Sequence, residues 1–171
     1  MTPSSIFHLT YNRMSTISDA IQDKCLAFSD RIIKLNDYLL AQAVVAHENY
    51  KKLKIQKKGK QTSSFFHQPS SIGVAAVPVY LQSVSNLCNQ LLRAGTSIGA
   101  NNAEATGAIS KADFKSKSYI ALKEARESLY WIDLLHRNGY LDDMQHNSIY
   151  ADCEELVKVL THRCKKLDGV E

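Results

Sequence analysis

The sequence predicts an all-α protein, an antiparallel up-and-down four-helix bundle with a long basic insert between the first and second helices. Apolar residues recur at steps of three and four along four separate segments, as on the buried side of a helix. Residues 79 to 171 contain no proline, which favours long helices and argues against a turn-rich sandwich or barrel. The chain has 171 residues, of which 44% are apolar, so we expect one domain covering 1–171.

The first helix is predicted from six apolar residues at heptad spacing, which are Ile21, Cys25, Phe28, Ile32, Leu35 and Leu39. Thr16-x-x-Asp19 has the form of a capping box, so we expect the helix to begin there. A flanking second apolar row consists of Leu26, Ile33 and Leu40. On the solvent side, an acid recurs every seven residues at Asp23, Asp30 and Asp37. A helix with two apolar rows has a second surface to bury, and we expect another subunit to cover it.

A basic insert separates the first two helices. The first helix is expected to run on to Lys58 and to stop at Gly59, while residues 60–80 are typical of irregular structure, so that 47–79 forms an insert or linker. Residues 51–60 hold six lysines and no acid, namely Lys51, Lys52, Lys54, Lys57, Lys58 and Lys60. Without these six, the 21 basic residues fall to 15, against 17 acidic residues. The surplus positive charge is therefore one local feature of the chain.

The second helix is predicted over 81–108, with an apolar row that runs from Val84 to Ile109. Its unusual feature is a face of small residues spaced four apart, which are Gly95, Gly99, Ala103 and Gly107. Because a glycine inside a helix costs roughly 0.5–1 kcal/mol relative to alanine, we expect another helix to approach closely along this face. A phosphate-binding loop is the alternative, but neither G-x-G-x-x-G nor G-x-x-x-x-G-K-[ST] occurs.

Start and stop signals delimit the last two helices. Ser110-x-x-Asp113 is a capping box that opens the third helix, and Asn138-Gly139 is a left-handed ending. Asp142 or Asp143 opens the fourth helix, and Gly169 ends it. Short connections between these helices predict antiparallel neighbours.

The cysteines and the start of the sequence bear on the compartment. Three of the four cysteines fall on the apolar rows, and no C-x-x-C spacing occurs, so we expect free thiols in the core. The sequence contains no apolar run of membrane-spanning length, and its start lacks the features of a signal peptide. We therefore expect a cytoplasmic protein.

The run from Gln90 to Asp142 resembles one protein family closely. The resemblance is carried by the segments LLRAGTSIGAN, AEA, SKADF, IALKEARES and YWIDLL, and it extends to DKCLAFSDRIIKLNDYL and DCEELVKVLT. The chain is similar to the four-helix-bundle proteins first noticed as products of intervening sequences in bacterial 23S ribosomal RNA genes. This resemblance implies an up-down bundle that assembles into a homopentamer. It also implies an accessory role, since a relative in diversity-generating retroelements binds a reverse transcriptase and its RNA.

The chain departs from that family's pattern in three places. The segment 47–79 stands where relatives have a short loop. Asn102 occupies a position at which the family has an aliphatic residue. The first 15 residues are extra, so that Met14 is an alternative start.

A polar network is predicted between the second and third helices. Its members are Arg93, Ser97, Asn101, Glu104, Glu124, Arg126 and Glu127. We expect Arg93 or Arg126 to pair with Glu104 or Glu124 in an interhelical or intersubunit cluster. A site for phosphate or for a partner's side chain is the functional alternative. Catalysis by the carboxylates is disfavoured, because no nucleophile or metal set accompanies them.

A di-metal bundle is the enzyme hypothesis to weigh. Such a site needs two inward E-x-x-H motifs and two further inward glutamates, whereas this chain offers Asp133-x-x-His136 and Asp143-x-x-His146. These carboxylates have the wrong length and stand at adjacent helix ends. We therefore expect no metal, no cofactor and no enzymatic activity.

Four other side chains invite a functional interpretation. Asn102 on an apolar row is either a buried residue that sets the register of the helices or a contact across a subunit interface. Tyr119, Tyr130 and Trp131 are candidates for stacking on bases. Their helical spacing beside apolar residues favours packing in the core or in an interface.

The six lysines are the strongest functional signal in the sequence. Such a cluster can contact several phosphates, and the absence of a base-reading motif predicts binding to the backbone with little sequence specificity. The preferred function is a non-enzymatic, oligomeric protein that binds RNA or a ribonucleoprotein. The alternative is a structural or adaptor bundle whose partner is another protein, for example the reverse transcriptase of a retroelement, with the lysines only solvating the helix end.

Overall fold

A computed structural model describes residues 3–57 and 76–170, with the side chains of residues 19–50, 52 and 81–170. The described chain forms four helices, α1 Pro3–Lys57, α2 Ala76–Thr106, α3 Lys111–Arg137 and α4 Asp143–Asp168. Each helix packs against the next one along the chain, and α4 returns to contact α1. The predicted all-α four-helix bundle is therefore confirmed. Within the described ranges, no helix is both long and apolar enough to cross a membrane.

The predicted caps of α3 and α4 are confirmed. Ser110 Oγ accepts a hydrogen bond from the backbone N–H of Asp113 at 3.1 Å. At the start of α4 the cap is Asp142, whose side chain and backbone form a reciprocal capping box with Gln145. Gly139 and Gly169 both adopt a φ of 73°, the left-handed conformation in which a side chain would be strained.

The first two helices extend beyond their predicted limits. The predicted start at Thr16 is wrong, because α1 runs unbroken from Pro3 to Lys57. This stretch contains no glycine, and its one proline stands in the first turn, where proline is tolerated, so nothing interrupts the helix. Residues 47–57 of the predicted insert thus belong to α1. Residues 76–80 are also helical rather than irregular, while α2 ends at Thr106 and leaves Ile109 in the following turn, 96% exposed.

Buried side chains from all four helices form one core. The first apolar row of α1 lies in it, with Leu35 partly buried. All four cysteines are buried free thiols, as predicted. Burial raises the pKa of Cys25 to about 11 and that of Cys153 to about 12, so both remain protonated and unreactive at neutral pH.

Contacts across two seams give the relative heights of the helices. Arg31 on α1 donates to Ser148 Oγ on α4 at 2.8 Å, and Asp133 on α3 contacts His146 on α4 at 2.8 Å. Because α3 and α4 are antiparallel, Ser148, two residues after His146, lies level with the residue two positions before Asp133, which is residue 131 of α3. Lys24, seven residues before Arg31, pairs with Glu155, seven residues after Ser148, so α1 is antiparallel to α4 and runs in the same direction as α3. A residue of α1 is therefore level with the α3 residue about 100 positions later.

The small-residue face of α2 packs against α1 of the same chain. A Cβ atom on Gly95 would lie 3.0 Å from Ile32 Cγ1, and one on Gly99 would lie 3.3 Å from Cys25 Cβ. Ala103 and Gly107 are exposed and do not take part. Close approach by another helix is therefore confirmed for half of the predicted face. Since α1 itself fills this space, the glycines give no support to contact with another subunit.

Asn102 is a buried polar residue at one end of the bundle, with none of its surface exposed. Its Oδ1 accepts a hydrogen bond from Arg163 Nη1 at 2.6 Å, and its Nδ2 donates to Gln22 Oε1 at 2.6 Å. The Arg163 guanidinium also lies over the ring of Phe114, 5.6 Å from its centroid. Of the two interpretations of Asn102, the structure supports the buried residue that ties helices together, here α1, α2 and α4.

We expect Gly95→Val to destabilise the fold by about 1–3 kcal/mol, because the added atoms would overlap with the fully buried Ile32. Ala103→Val on the exposed side of the same helix is the matched control, with an expected cost below about 1 kcal/mol. Urea unfolding followed by circular dichroism measures both. Equal losses for the two variants would contradict the close packing of α1 on α2.

We expect Asn102→Leu to cost about 2–3 kcal/mol, because it leaves the partly buried Arg163 without its amide acceptor. The double variant Asn102→Leu/Arg163→Met removes both partners, and we expect it to recover most of that loss. Urea unfolding of the two single variants and the double variant completes the cycle. Strictly additive losses would show that the pair contributes nothing.

Candidate nucleic-acid interface

The basic segment lies on the C-terminal end of α1. Lys51, Lys52, Lys54 and Lys57 stand in the last two turns of this helix, and Lys52 is exposed. Lys58 and Lys60 lie outside the described residues. The four lysines therefore belong to a continuous helix, as the expected run of the first helix to Lys58 implied.

This end of α1 extends well past the α3–α4 pair. Asp143, the first residue of α4, precedes Ser148 by five positions, so it lies level with about residue 36 of α1. From there to Lys57, α1 continues for about 20 residues, or about 30 Å at 1.5 Å per residue. The lysines thus lie far from the acidic side chains of α3 and α4, and their positive field is not neutralised by them.

The predicted polar network runs along the seam between α2 and α3, with different partners from those expected. Glu104 pairs with Lys117 of α3 and not with an arginine. Asn101 Nδ2 donates to the Ser97 carbonyl at 2.9 Å, within the same helix. Hence α2 and α3 are joined at this end by a lysine that the sequence analysis did not single out.

Two other members of the network, Glu127 and Arg93, lie near Glu124. Burial raises the pKa of Glu124, and the nearby Glu127 raises it further, whereas the positive charges of Lys123 and Arg93 oppose the shift. Glu127 also accepts a hydrogen bond from Trp131 Nε1 at 3.0 Å. Arg93 and Arg126 are both exposed. Among the described residues, the expected pairing of Arg126 with Glu104 or Glu124 is not found, and its charge acts instead on Cys164 of α4. The network is thus a set of local contacts.

The three aromatic residues of α3 differ in their surroundings. Trp131 packs partly buried against the core, as the spacing predicted. Tyr119 donates a hydrogen bond from its hydroxyl to Asp168 of α4. Tyr130 is 59% exposed and meets Trp131 edge to face, with ring centroids 5.0 Å apart. Tyr130 is therefore the aromatic side chain of this group that is most available to a partner.

The two Asp-x-x-His motifs meet where α3 ends and α4 begins. His146 contacts Asp133, and His136 contacts Asp143, each through Nε2 at 2.8 Å, and the two imidazole rings stack with centroids 4.2 Å apart. In two antiparallel helices joined by a short turn, residues at equal distances from the turn face each other. This spacing could have predicted both Asp–His pairs from the sequence. In the part of the chain that the structure describes, no group of His, Cys, Asp or Glu has a geometry that could hold a metal ion.

Two arginines that the sequence analysis passed over hold the bundle together at α4. Arg31 forms an ion pair with Asp152 and a hydrogen bond with Ser148, which joins α1 to α4. Arg163 carries its charge into the bundle, and burial lowers the pKa of its guanidinium. No sequence motif distinguishes these arginines from solvent-exposed ones, because their partners come from distant parts of the chain.

A family model and solved structures both match this chain. The family model of the 23S rRNA-intervening sequence protein matches residues 78–162, a range that includes the whole polar network and excludes the lysines of α1. A crystal structure of a protein with unknown function from the S23 ribosomal protein family of Bacteroides thetaiotaomicron is 34% identical, with a TM-score of 0.59. The alignment covers 87% of this chain and 98% of that one. No match is found among the curated proteins.

The matched range and the near-complete coverage of the solved relative agree with the four-helix architecture and with the segments that suggested the resemblance. The chain therefore belongs to the family of 23S rRNA-intervening sequence proteins.

Proposed function

We propose that this chain is a non-enzymatic, self-associating bundle of the cytoplasm that binds the phosphate backbone of RNA, alone or within a ribonucleoprotein, through the basic end of α1. The observation that supports it is the course of α1, which continues as one helix past the α3–α4 pair and carries four of the six lysines there. A helix presents such charges at fixed spacing, so several can face phosphates together.

Self-association is supported by the second apolar row of α1. Leu26 is 55% exposed and Ile33 is 44% exposed in the single chain, while Leu40 is partly buried. Large apolar side chains that recur exposed on one side of a helix favour an interaction surface there. The family resemblance implies a pentamer, which would cover these side chains.

An adaptor that binds another protein is the second candidate function. The same exposed apolar row favours it, since a partner helix could cover Leu26 and Ile33 as well as a second copy could. The two functions differ in what the lysines do, and the RNA experiment below separates them.

Replacing the six lysines at 51, 52, 54, 57, 58 and 60 by glutamine should sharply weaken binding to a generic single-stranded RNA. If all six contact phosphates, the parent's slope of log K against log salt reaches up to about −4, and it should flatten in the variant. Filter binding at several salt concentrations measures both. Helicity should not change, because the substituted residues lie beyond the buried row of α1.

The matched control removes six exposed lysines elsewhere, at 24, 34, 111, 158, 165 and 166, and it should bind RNA as the parent does. Equal binding by parent and six-lysine variant would overturn the proposed site and direct attention to Arg93, Lys115, Lys117 and Arg126. A parent that does not bind RNA would favour the adaptor.

Light scattering should give a mass near 95 kDa, five times that of the 19.1 kDa chain. Leu26→Ser/Ile33→Ser should lower it, because these side chains are exposed in the single chain and their loss leaves the core intact. A parent that runs as a 19.1 kDa monomer would contradict self-association.

A further inference from the structure

The outer side of α1 carries two adjacent rows that the described chain leaves largely uncovered, with Leu40 alone partly buried. The acidic row, Asp23, Asp30 and Asp37, is exposed, and none of its members forms an ion pair with any residue of the described ranges. Beside it lies the apolar row of Leu26, Ile33 and Leu40. Three unpaired negative charges next to exposed apolar side chains call for a partner with cations around an apolar or aromatic centre.

The outer side of α3 has that composition. Lys123, Tyr130 and Arg137 stand seven residues apart, all three exposed, and Arg126 adds a further exposed cation. Within the described ranges, none of these three basic side chains forms an ion pair. We call Lys123, Tyr130 and Arg137 the basic row. Its spacing of seven residues equals that of the acidic row on α1.

The two rows lie on opposite faces of the bundle. On α1, Ser29 stands between Leu26 and Ile33, and its Oγ is 3.8 Å from the position that a Gly99 Cβ would take, so the apolar row borders α2. On α3, Tyr119 precedes Arg137 by 18 residues, or five helical turns, and therefore points the same way. Tyr119 bonds to Asp168 of α4, which places the basic row on the α4 side. One row thus belongs to the α1–α2 face and the other to the α3–α4 face.

The heights of the rows agree as well. Since a residue of α1 is level with the α3 residue about 100 positions later, Asp23 is level with Lys123, Asp30 with Tyr130, and Asp37 with Arg137. Copies that form a closed ring around an axis along the bundle are related by rotation without rise. Groups that meet across such a contact must therefore come from the same height.

We propose that copies of this chain join head to tail, with the α1–α2 face of one copy against the α3–α4 face of the next. Tyr130 then enters the gap between Leu26 and Ile33, where its hydroxyl reaches Asp30. Lys123 and Arg137 face Asp23 and Asp37. This inference rests on the self-association proposed above and specifies its two surfaces and its polarity.

Charge reversal on each row tests the contact. We expect Asp23→Lys/Asp30→Lys/Asp37→Lys, and separately Lys123→Glu/Arg126→Glu/Arg137→Glu, to raise the dissociation constant of the assembly at least about tenfold, because like charges then face each other. The chain carrying all six changes restores opposite charges and should assemble again. Light scattering and analytical ultracentrifugation measure the mass, and circular dichroism confirms that the fold is retained.

The control is Lys111→Glu/Lys165→Glu/Lys166→Glu, which makes the same charge change as the basic-row variant at three exposed lysines outside both rows and should assemble like the parent. A parent that assembles while both row variants also assemble would overturn this inference and leave self-association standing. Failure of the six-change chain to assemble, with its fold intact, would also overturn it. A monomeric parent would overturn both proposals.

Discussion

The close approach of α1 and α2 is the constraint on which the rest of the bundle depends. Gly95 and Gly99 leave room for Ile32 and Cys25, so the two helices pack more tightly than helices with side chains at those positions could. The seam between α1 and α4 is of a different kind, held at its surface by the ion pairs Arg31–Asp152 and Lys24–Glu155. Because exposed ion pairs contribute little stability, the position of α1 is set mainly by α2.

This packing explains why α1 can be so much longer than its neighbours. With 55 residues against 26 in α4, it has many turns that the α3–α4 pair cannot cover. The second apolar row of α1 lies beside the contact of α1 with Gly95 and Gly99 but outside it. Its members Leu26 and Ile33 therefore stay exposed in the single chain. The same helix thus supplies the core, the uncovered row beside it and the basic end beyond it.

Much of this architecture follows from local sequence signals. Ser110, Asp142, Gly139 and Gly169 delimit α3 and α4 as predicted, because caps act through hydrogen bonds and backbone conformations of a few neighbouring residues. The start of α1 could not be predicted in this way. Thr16-x-x-Asp19 has the form of a capping box, but its side chains stop a helix only where the preceding residues cannot continue it.

Pairings between helices were harder to predict than the helices themselves. The expected arginine partners of Glu104 were wrong, since its ion pair is with Lys117. An ion pair depends on which side chains reach each other, and one residue along a helix turns a side chain by about 100°. For the candidate site, the sequence located the basic segment and placed most of it on the end of α1. It could not give the height of that end relative to α3 and α4, because this height depends on contacts between helices.

The burial of Arg163 shows how this bundle accommodates a charged side chain between its helices. A charge inside a bundle is tolerated only where polar groups replace water around it. Asn102 supplies an acceptor at 2.6 Å, and the face of Phe114 supplies a cation–π contact. The amide at position 102 is thus matched to an arginine 61 residues later, and the two positions are best regarded as one unit.

The proposed RNA binding and the proposed head-to-tail ring are connected, because the direction of α1 in the ring decides where the basic ends lie. In a head-to-tail ring without rise, every copy of α1 runs the same way, so the basic ends of all copies lie on one rim. A single RNA strand that follows this rim meets one lysine cluster after another, and each contact after the first is intramolecular. Linked weak sites can gain a factor of about 10² or more in overall affinity. Loss of the ring would then weaken RNA binding even though the lysines themselves are unchanged, whereas loss of the lysines would leave the ring intact.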